Sequence, residues 1–256
     1  MLPESFPLQA YLSRVGLESP PSADAAGLRT LMRAQLFTVP FENTYVQAGL
    51  NVSLEPTDII EKIIYQRRGG YCYEVNGLFA WAAAALGFSV RLIGARPMFY
   101  PKRWAKTHMV VLVDLTEGQF ICDTGFGRFG LRAPLRLNAS QIPVQQDWDQ
   151  FRLRKNSYEW VVQAFNNGEW ESQFSFDEYP AEWADFMPAN YFNSHSPDTI
   201  FVQKLLVIQH EPQARVILLD DNLKIIRADG IEEYTLSEPV AERIQRFGLT
   251  WPQGLG

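Results

Sequence analysis

In RRGGYCYEVNG, residues 67–77, Cys72 follows two arginines and a Gly-Gly pair. A cysteine placed directly after such a turn falls on the first turn of the helix that follows. Unpaired backbone N–H groups and the positive end of the helix dipole gather there, and both favour a thiolate over a thiol. Arg67 and Arg68 add positive charge nearby in sequence, and the glycines would leave a substrate room to approach the sulfur. The alternative is a buried structural cysteine, because free cysteine is among the most buried residue types. From the local residues alone, both readings stand.

A nucleophilic cysteine needs a base, and the base needs a group to orient it. His108 opens the apolar run HMVVLV, and Asp123 lies on the next run, in FICDTGFG. If the intervening turn centres between Thr116 and Glu117, His108 faces Gly125, and Asp123 is its diagonal neighbour on the same face. Asp123 could then hold the imidazole through Nδ1. A slip of one residue would put the two on opposite faces. Singly, His108 reads as a strand-end histidine satisfied by a carbonyl and Asp123 as a turn residue. Jointly with Cys72 they favour a catalytic triad. Cys122, the competing thiol, points to the opposite face beside a carboxylate that would raise its pKa, and it reads as packing. His195 and His210 have no comparable cysteine or acid partner and read as structural.

The elements that must position these residues change character along the chain. Residues up to about 86 read as helices. LQAYLSRVGL is short and amphipathic, and SADAAGLRTLMRAQLF has Ser22 as its cap candidate. Pro40 breaks that pattern. TDIIEKIIYQRR starts with Asp58 and Glu61 as a capping-box variant and ends at Gly69-Gly70. The helix from Cys72 to Leu86 is almost wholly apolar and should be buried. From Phe88 the period is that of strands: FSVRLIGARP, THMVVLVDL, QFICDTGF, RLNAS, FRLRK, YEWVVQAF and WESQFSF, with TEGQ and NNG as hairpin turns. This run predicts a small antiparallel barrel or sandwich. EYPAEWADFMPANYF is helical in part. FVQKLLVIQ, ARVILLD, LKIIRA and IEEYTLS follow as strands, and EPVAERIQRFGL closes as a helix. Helices, then strands, then a mixed tail make an α+β chain and not a doubly wound sheet.

The formal charge of −6 over 256 residues argues against a general nucleic-acid or anionic-membrane binder. No uncharged apolar run approaches ~20 residues, so no transmembrane helix is expected. MLPESFPLQAYLSRVGL lacks the pattern of a signal peptide, and a cytoplasmic chain with two reduced cysteines is expected. No zinc-type Cys/His spacing is present, so no metal is expected.

RGGYCYEVNGLF, the histidine of KTHMVVLV and the aspartate of CDTGFG resemble, in the same order, the three motifs of the arylamine N-acetyltransferases. The likeness extends to VPFEN at 39–43 and more loosely to NYFNSHSPDTIFVQKLLV. It implies a helical domain (1–86), a β-barrel domain (87–185) and an α/β lid (186–256), the first two carrying a cysteine-protease-like core. It also implies Cys72 as acyl-accepting nucleophile, His108 as base and Asp123 as orienting acid. The reaction it implies is a ping-pong transfer from acetyl-CoA, a co-substrate and not a tightly bound cofactor, to an arylamine, arylhydroxylamine or hydrazine, with the protein a monomer or homodimer. Phe37 and Phe126 would form the slot for the arene, and Thr107 would lie near the CoA site. Arg128 would line the amine pocket.

Phosphates of CoA could be met by Arg96, Lys102, Arg103 and Lys106, or by Arg128, Arg132 and Arg136; both groups could equally be solvated faces. Tyr73 stands where the motif commonly carries Phe, and Cys122 and Thr124 stand where small apolar residues are usual. Two other enzyme types would use the same triad: an amide synthase of this family acting on a carrier-bound acyl chain, and a thiol hydrolase or transglutaminase-like enzyme.

Overall fold

A computed structural model describes residues 6–138 and 140–253. The reading of the first residues as lacking a leader falls partly on 1–5, outside the described residues.

The helical third is built by α1 (Leu8–Val15), α2 (Ala25–Thr38), a two-residue strand β1 (Phe41–Glu42), α3 (Thr44–Gln47), α4 (Pro56–Ile60) and α5 (Cys72–Ala85). Asp24, not Ser22, caps α2: its Oδ1 accepts the Gly27 N–H at 2.8 Å, while the Ser22 hydroxyl steadies the other carboxylate oxygen at 2.8 Å. α4 starts one turn earlier than its acidic pair suggests, because Pro56 takes the first position, where its missing N–H costs nothing. Asp58 therefore lies inside the helix, and the chain continues through a π-turn over Glu61–Tyr65. The left-handed residue after that turn is Arg67, at φ 55°, and not a glycine.

Gly69 and Gly70 have a different task from the one their position before Cys72 suggests. A Cβ on Gly69 would lie 2.1 Å from the Pro40 carbonyl oxygen, and one on Gly70 2.8 Å from the Glu74 Cβ. The bare backbone lets this loop run against β1, with the Glu42 N–H donating to the Gly70 carbonyl at 3.0 Å. Protein fills the space that the missing side chains leave.

The strands form two antiparallel sheets. The larger is ordered β5-β4-β3-β2-β9-β8-β7-β6 and curls into a nearly closed barrel. Its members are β2 (Ser89–Pro97), β3 (His108–Leu115), β4 (Gly118–Cys122), β5 (Leu135–Arg136), β6 (Val144–Gln146), β7 (Asp149–Lys155), β8 (Trp160–Asn166) and β9 (Glu169–Phe176). Asn167 and Gly168, both at positive φ, make the two-residue turn between β8 and β9. A short 3₁₀ turn and α6 (Phe186–His195) follow, then α7 (Ile200–Gln203). The smaller sheet joins β10 (Leu206–His210), β11 (Arg215–Leu219), β12 (Asn222–Arg227) and β13 (Gly230–Thr235), with α8 (Val240–Gln245) after it. Residues 201–203, expected as strand, are helical; the carboxamides of Asn43 and Gln47 donate to the carbonyls of Phe201, Val202 and Lys204 and hold that turn. β1 is an edge strand of this second sheet, Phe41 facing Ile208, so residues 41–42 belong with chain some 165 positions away.

α5 is almost wholly apolar because it is buried from Cys72 through Ala83. Val75, Leu78, Phe79 and Ala82 are each at most 1% exposed, packed among α2, β2 and β3. At roughly 1.5–3 kcal/mol for each large apolar side chain fully buried, this contact fixes the start of α5 against the barrel.

Candidate active site

Cys72 is the first residue of α5 and is 3% exposed. The helix start is held by Glu74, whose carboxylate reaches back to the Tyr71 N–H at 3.0 Å and takes the ammonium of buried Lys62 at 2.7 Å. Neither of the sequence-adjacent arginines is turned to the sulfur for support. Arg67 is exposed, and Arg68 is spent on the Thr44 hydroxyl and the Thr250 carbonyl, each at 2.9 Å. An acid three residues past a helix start is a legible capping signal, but Tyr71 is not one of the usual cap residues, so the motif is easily passed over.

His108 is the first residue of β3. The turn between β3 and β4 is Thr116–Glu117, with Leu115 opposite Gly118 and Val111 opposite Cys122. Continued to its end, that register sets His108 opposite Gly125. Asp123 lies just past β4, and its Oδ2 is 2.7 Å from the imidazole. The ring nitrogen it holds is Nε2, not Nδ1, which leaves Nδ1 as the atom for Cys72. The Cys72 side chain stands beside the same ring, on the wall of one cavity, and favours its charged form. Burial opposes a charge on this imidazole, but the Asp123 charge and hydrogen bond, with the Cys72 contact, outweigh it and push the His108 pKa up to about 10.

Asp123 is fixed by more than His108. Its Oδ1 accepts the Asn76 carboxamide at 3.0 Å and the Gly125 N–H at 2.9 Å. Asn76, one turn along from Cys72 on α5, also donates to the Met109 carbonyl at 2.7 Å and accepts from the Thr124 N–H at 2.7 Å. A Cβ on Gly125 would sit 2.8 Å from the Cys72 Cα, so a glycine is required for the Asp123 loop to press on the helix start. Asn76 and Gly125 are thus site residues that a search for nucleophile, base and acid passes over. Their signal is only the bare spacing of Asn76 four residues after Cys72 on one helix face.

The sulfur and His108 share the wall of a cavity of about 360 Å³. Its sides are aromatic, with Phe41, Phe99, Phe126, Phe129 and Phe201. Phe126 meets the His108 ring edge-on, centroids 5.2 Å apart. Thr107 and Arg128 also reach the cavity, Arg128 from its exposed side while paired to Glu171 at 3.0 Å. Phe37 does not line it. That ring is held under the guanidiniums of Arg33 and Arg132, and Phe41 takes the place expected of it. Cys122 is fully buried, and burial first, then Asp123, pushes its thiol well up.

The basic stretches are largely neutralised by acids from the barrel. Arg103 pairs with Glu159 at 2.7 Å, Lys106 with Asp177 at 2.6 Å, and Arg96 lies near Glu159 while donating to the Trp104 carbonyl. Arg132 is fully buried against Asp147 and His210 and is removed from any phosphate. His210 is held neutral by burial and by Arg215 and Arg132, and His195 is exposed and stacked on Tyr191. Among the described residues no group of His, Cys, Asp and Glu could hold a metal ion, and no helix is long and apolar enough to cross a membrane.

Comparison with known proteins agrees with this architecture. Residues 24–249 match the family described as N-acetyltransferase. The arylamine N-acetyltransferase / N-hydroxyarylamine O-acetyltransferase of Salmonella typhimurium is 36% identical over 214 residues, covering 83% of this chain and 76% of that protein. The arylamine N-acetyltransferase of Mycolicibacterium smegmatis is 31% identical over 94% of this chain and 91% of its own. The solved Salmonella typhimurium structure superposes with a TM-score of 0.91 at 31% identity, over 97% of this chain and 93% of that one. A Mycobacterium marinum arylamine N-acetyltransferase solved in complex with CoA gives 0.87 at 32% identity, over 94% and 92%. The chain belongs to the arylamine N-acetyltransferase family.

Proposed function

We propose that this protein transfers an acetyl group from acetyl-CoA to the nitrogen of an arylamine, arylhydroxylamine or hydrazine, through an acetyl-Cys72 intermediate. The observation that carries the reading is one imidazole held by the Asp123 carboxylate and facing, with Cys72, into an aromatic cavity. Family membership supports the donor and the acceptor class.

With the proton on His108, the sulfur is left as a thiolate. It attacks the thioester carbonyl; the Cys72 S–C bond forms, the CoA S–C bond breaks, and the departing CoA sulfur takes the imidazolium proton. An amine entering between the aromatic walls then attacks the acetyl-cysteine. The N–C bond forms, the Cys72 S–C bond breaks, and the amine proton passes to His108, which restores the starting pair. Asp123 stays ionised throughout and stabilises each imidazolium. Phe126, Arg128 and Thr107 contact the substrates in this reading, whereas Phe37, packed under Arg33 and Arg132, does not.

Because the first product leaves before the amine reacts, initial rates with acetyl-CoA and an arylamine should give parallel double-reciprocal lines. Lines that intersect would mean both substrates bind before transfer, and the acetyl-cysteine route would be lost.

A further inference from the structure

Tyr73 and Asn193 meet on one carbonyl. The Tyr73 hydroxyl donates to the Thr107 oxygen at 2.9 Å, and the Asn193 carboxamide donates to the same oxygen at 3.0 Å. Asn193 also donates to the Tyr73 hydroxyl at 3.2 Å, which closes a three-membered ring of hydrogen bonds. All three residues are buried, Tyr73 completely. Burial first, with Cys72 and Tyr71 beside it, pushes the Tyr73 hydroxyl far above its ordinary range, so it remains a donor.

The positions in the chain give this ring its meaning. Tyr73 directly follows Cys72 on α5, and Thr107 directly precedes His108 on β3. Thr107 is also the last residue of the irregular stretch 98–107, so no strand ladder holds its carbonyl. Asn193 comes from α6, more than 80 residues further on, and lines the cavity. Among the described residues, the side-chain bonds on the Thr107 oxygen come from the residue after the nucleophile and from α6.

We propose that Tyr73 and Asn193 are positioning residues that clamp the Thr107 carbonyl and so set the separation between the Cys72 sulfur and the His108 ring. The proposal rests on the reading of Cys72 and His108 as nucleophile and base. It couples α6 to the chemistry without α6 touching the reacting atoms. Phenylalanine fits the Tyr73 slot but removes the hydroxyl, and leucine at 193 keeps the size of asparagine but removes both donors.

The test is single-turnover acetylation of the full-length protein by acetyl-CoA, followed by intact mass, in the parent, Tyr73→Phe, Asn193→Leu and the double variant. Each single variant should lower the rate constant at saturating acetyl-CoA by about tenfold, with the half-saturating concentration within about twofold. The double variant should fall no more than about twofold below the slower single one, because both donors act through one carbonyl. The pH profile of Cys72 alkylation should shift along with the rate. Variants that only lose folded protein would show fewer labelled chains with the parent's rate constant and pH profile. That result, or rates within about twofold of the parent, overturns the positioning role. A parent protein that takes no acetyl group overturns the nucleophile reading, and the proposal with it.

Discussion

Replacing Asp123 by asparagine is expected to lower turnover by about 10⁴-fold while the protein stays folded. The substitution is nearly isosteric, and its oxygen can still accept from Asn76 and Gly125, which hold Oδ1 now. Its amide nitrogen must then face His108 Nε2, where Oδ2 stands at 2.7 Å. A donor there forces Nε2 to be the unprotonated nitrogen, and the neutral ring carries its proton on Nδ1, toward the sulfur. An imidazole in that tautomer cannot accept a proton from Cys72 or from an incoming amine. The charge is lost too. In the parent the carboxylate overcomes the burial that would otherwise discharge the ring, so the imidazolium persists until pH rises to about 10. In Asp123→Asn the burial is opposed only by Cys72, and the ring should titrate lower. The linked stability has a definite sign. A pKa raised in the folded state stabilises fully below the unfolded value of roughly 6.5, and that contribution is lost as pH climbs through the folded value. Turnover, together with ¹⁵N shifts of the His108 ring against pH, checks both parts. A variant within about tenfold of the parent, with an unchanged ring titration, would show that Asp123 neither orients nor charges the base.

Asn76→Leu should cost about 3–5 kcal/mol of stability, measured by denaturant unfolding, a large fraction of what a domain of this kind has. Asn76 is fully buried and contacts the Met109 carbonyl, the Asp123 carboxylate and the Thr124 N–H and hydroxyl. Leucine fills the volume but leaves the Thr124 N–H without its recorded acceptor, and an orphaned buried donor costs roughly 1–3 kcal/mol. A lost hydrogen bond to the charged Asp123 adds about 1.5–3 kcal/mol. Activity of the folded fraction should fall as well, because Asp123 loses one of the two donors on Oδ1. A loss below about 1 kcal/mol would mean that these groups find other partners.

How much of this was legible depended on whether the interaction was local. The pairing of His108 with Asp123 follows from one two-residue turn: once Thr116–Glu117 closes the hairpin, the period of two decides which residues share a face. Cys72 at a helix start follows from the apolar run behind it. What the chain hides is the long-range support. Nothing near Asp123 shows that Asn76 will donate to it from 47 residues away, and nothing near Arg103 shows that Glu159 will neutralise it. The same blindness explains Phe37. Helical phase alone does not reveal that Arg33 and Arg132 enclose it, while Phe41, beyond the Pro40 break, enters the cavity by pairing with β10. The glycines before Cys72 look like an approach to a reactive sulfur, yet their neighbours are Pro40 and Glu74, one of them from another element. Ring orientation is hidden for a further reason: Nδ1 and Nε2 are equivalent in sequence, and only the path of the backbone at His108 decides which one reaches the acid.

Intact-mass measurement after exposure to acetyl-CoA alone, with no amine present, tests the central assignment most directly. The parent protein and Cys122→Ala should each gain one acetyl group, and Cys72→Ala should gain none. An acetyl group retained by Cys72→Ala, or lost only in Cys122→Ala, would contradict Cys72 as the nucleophile.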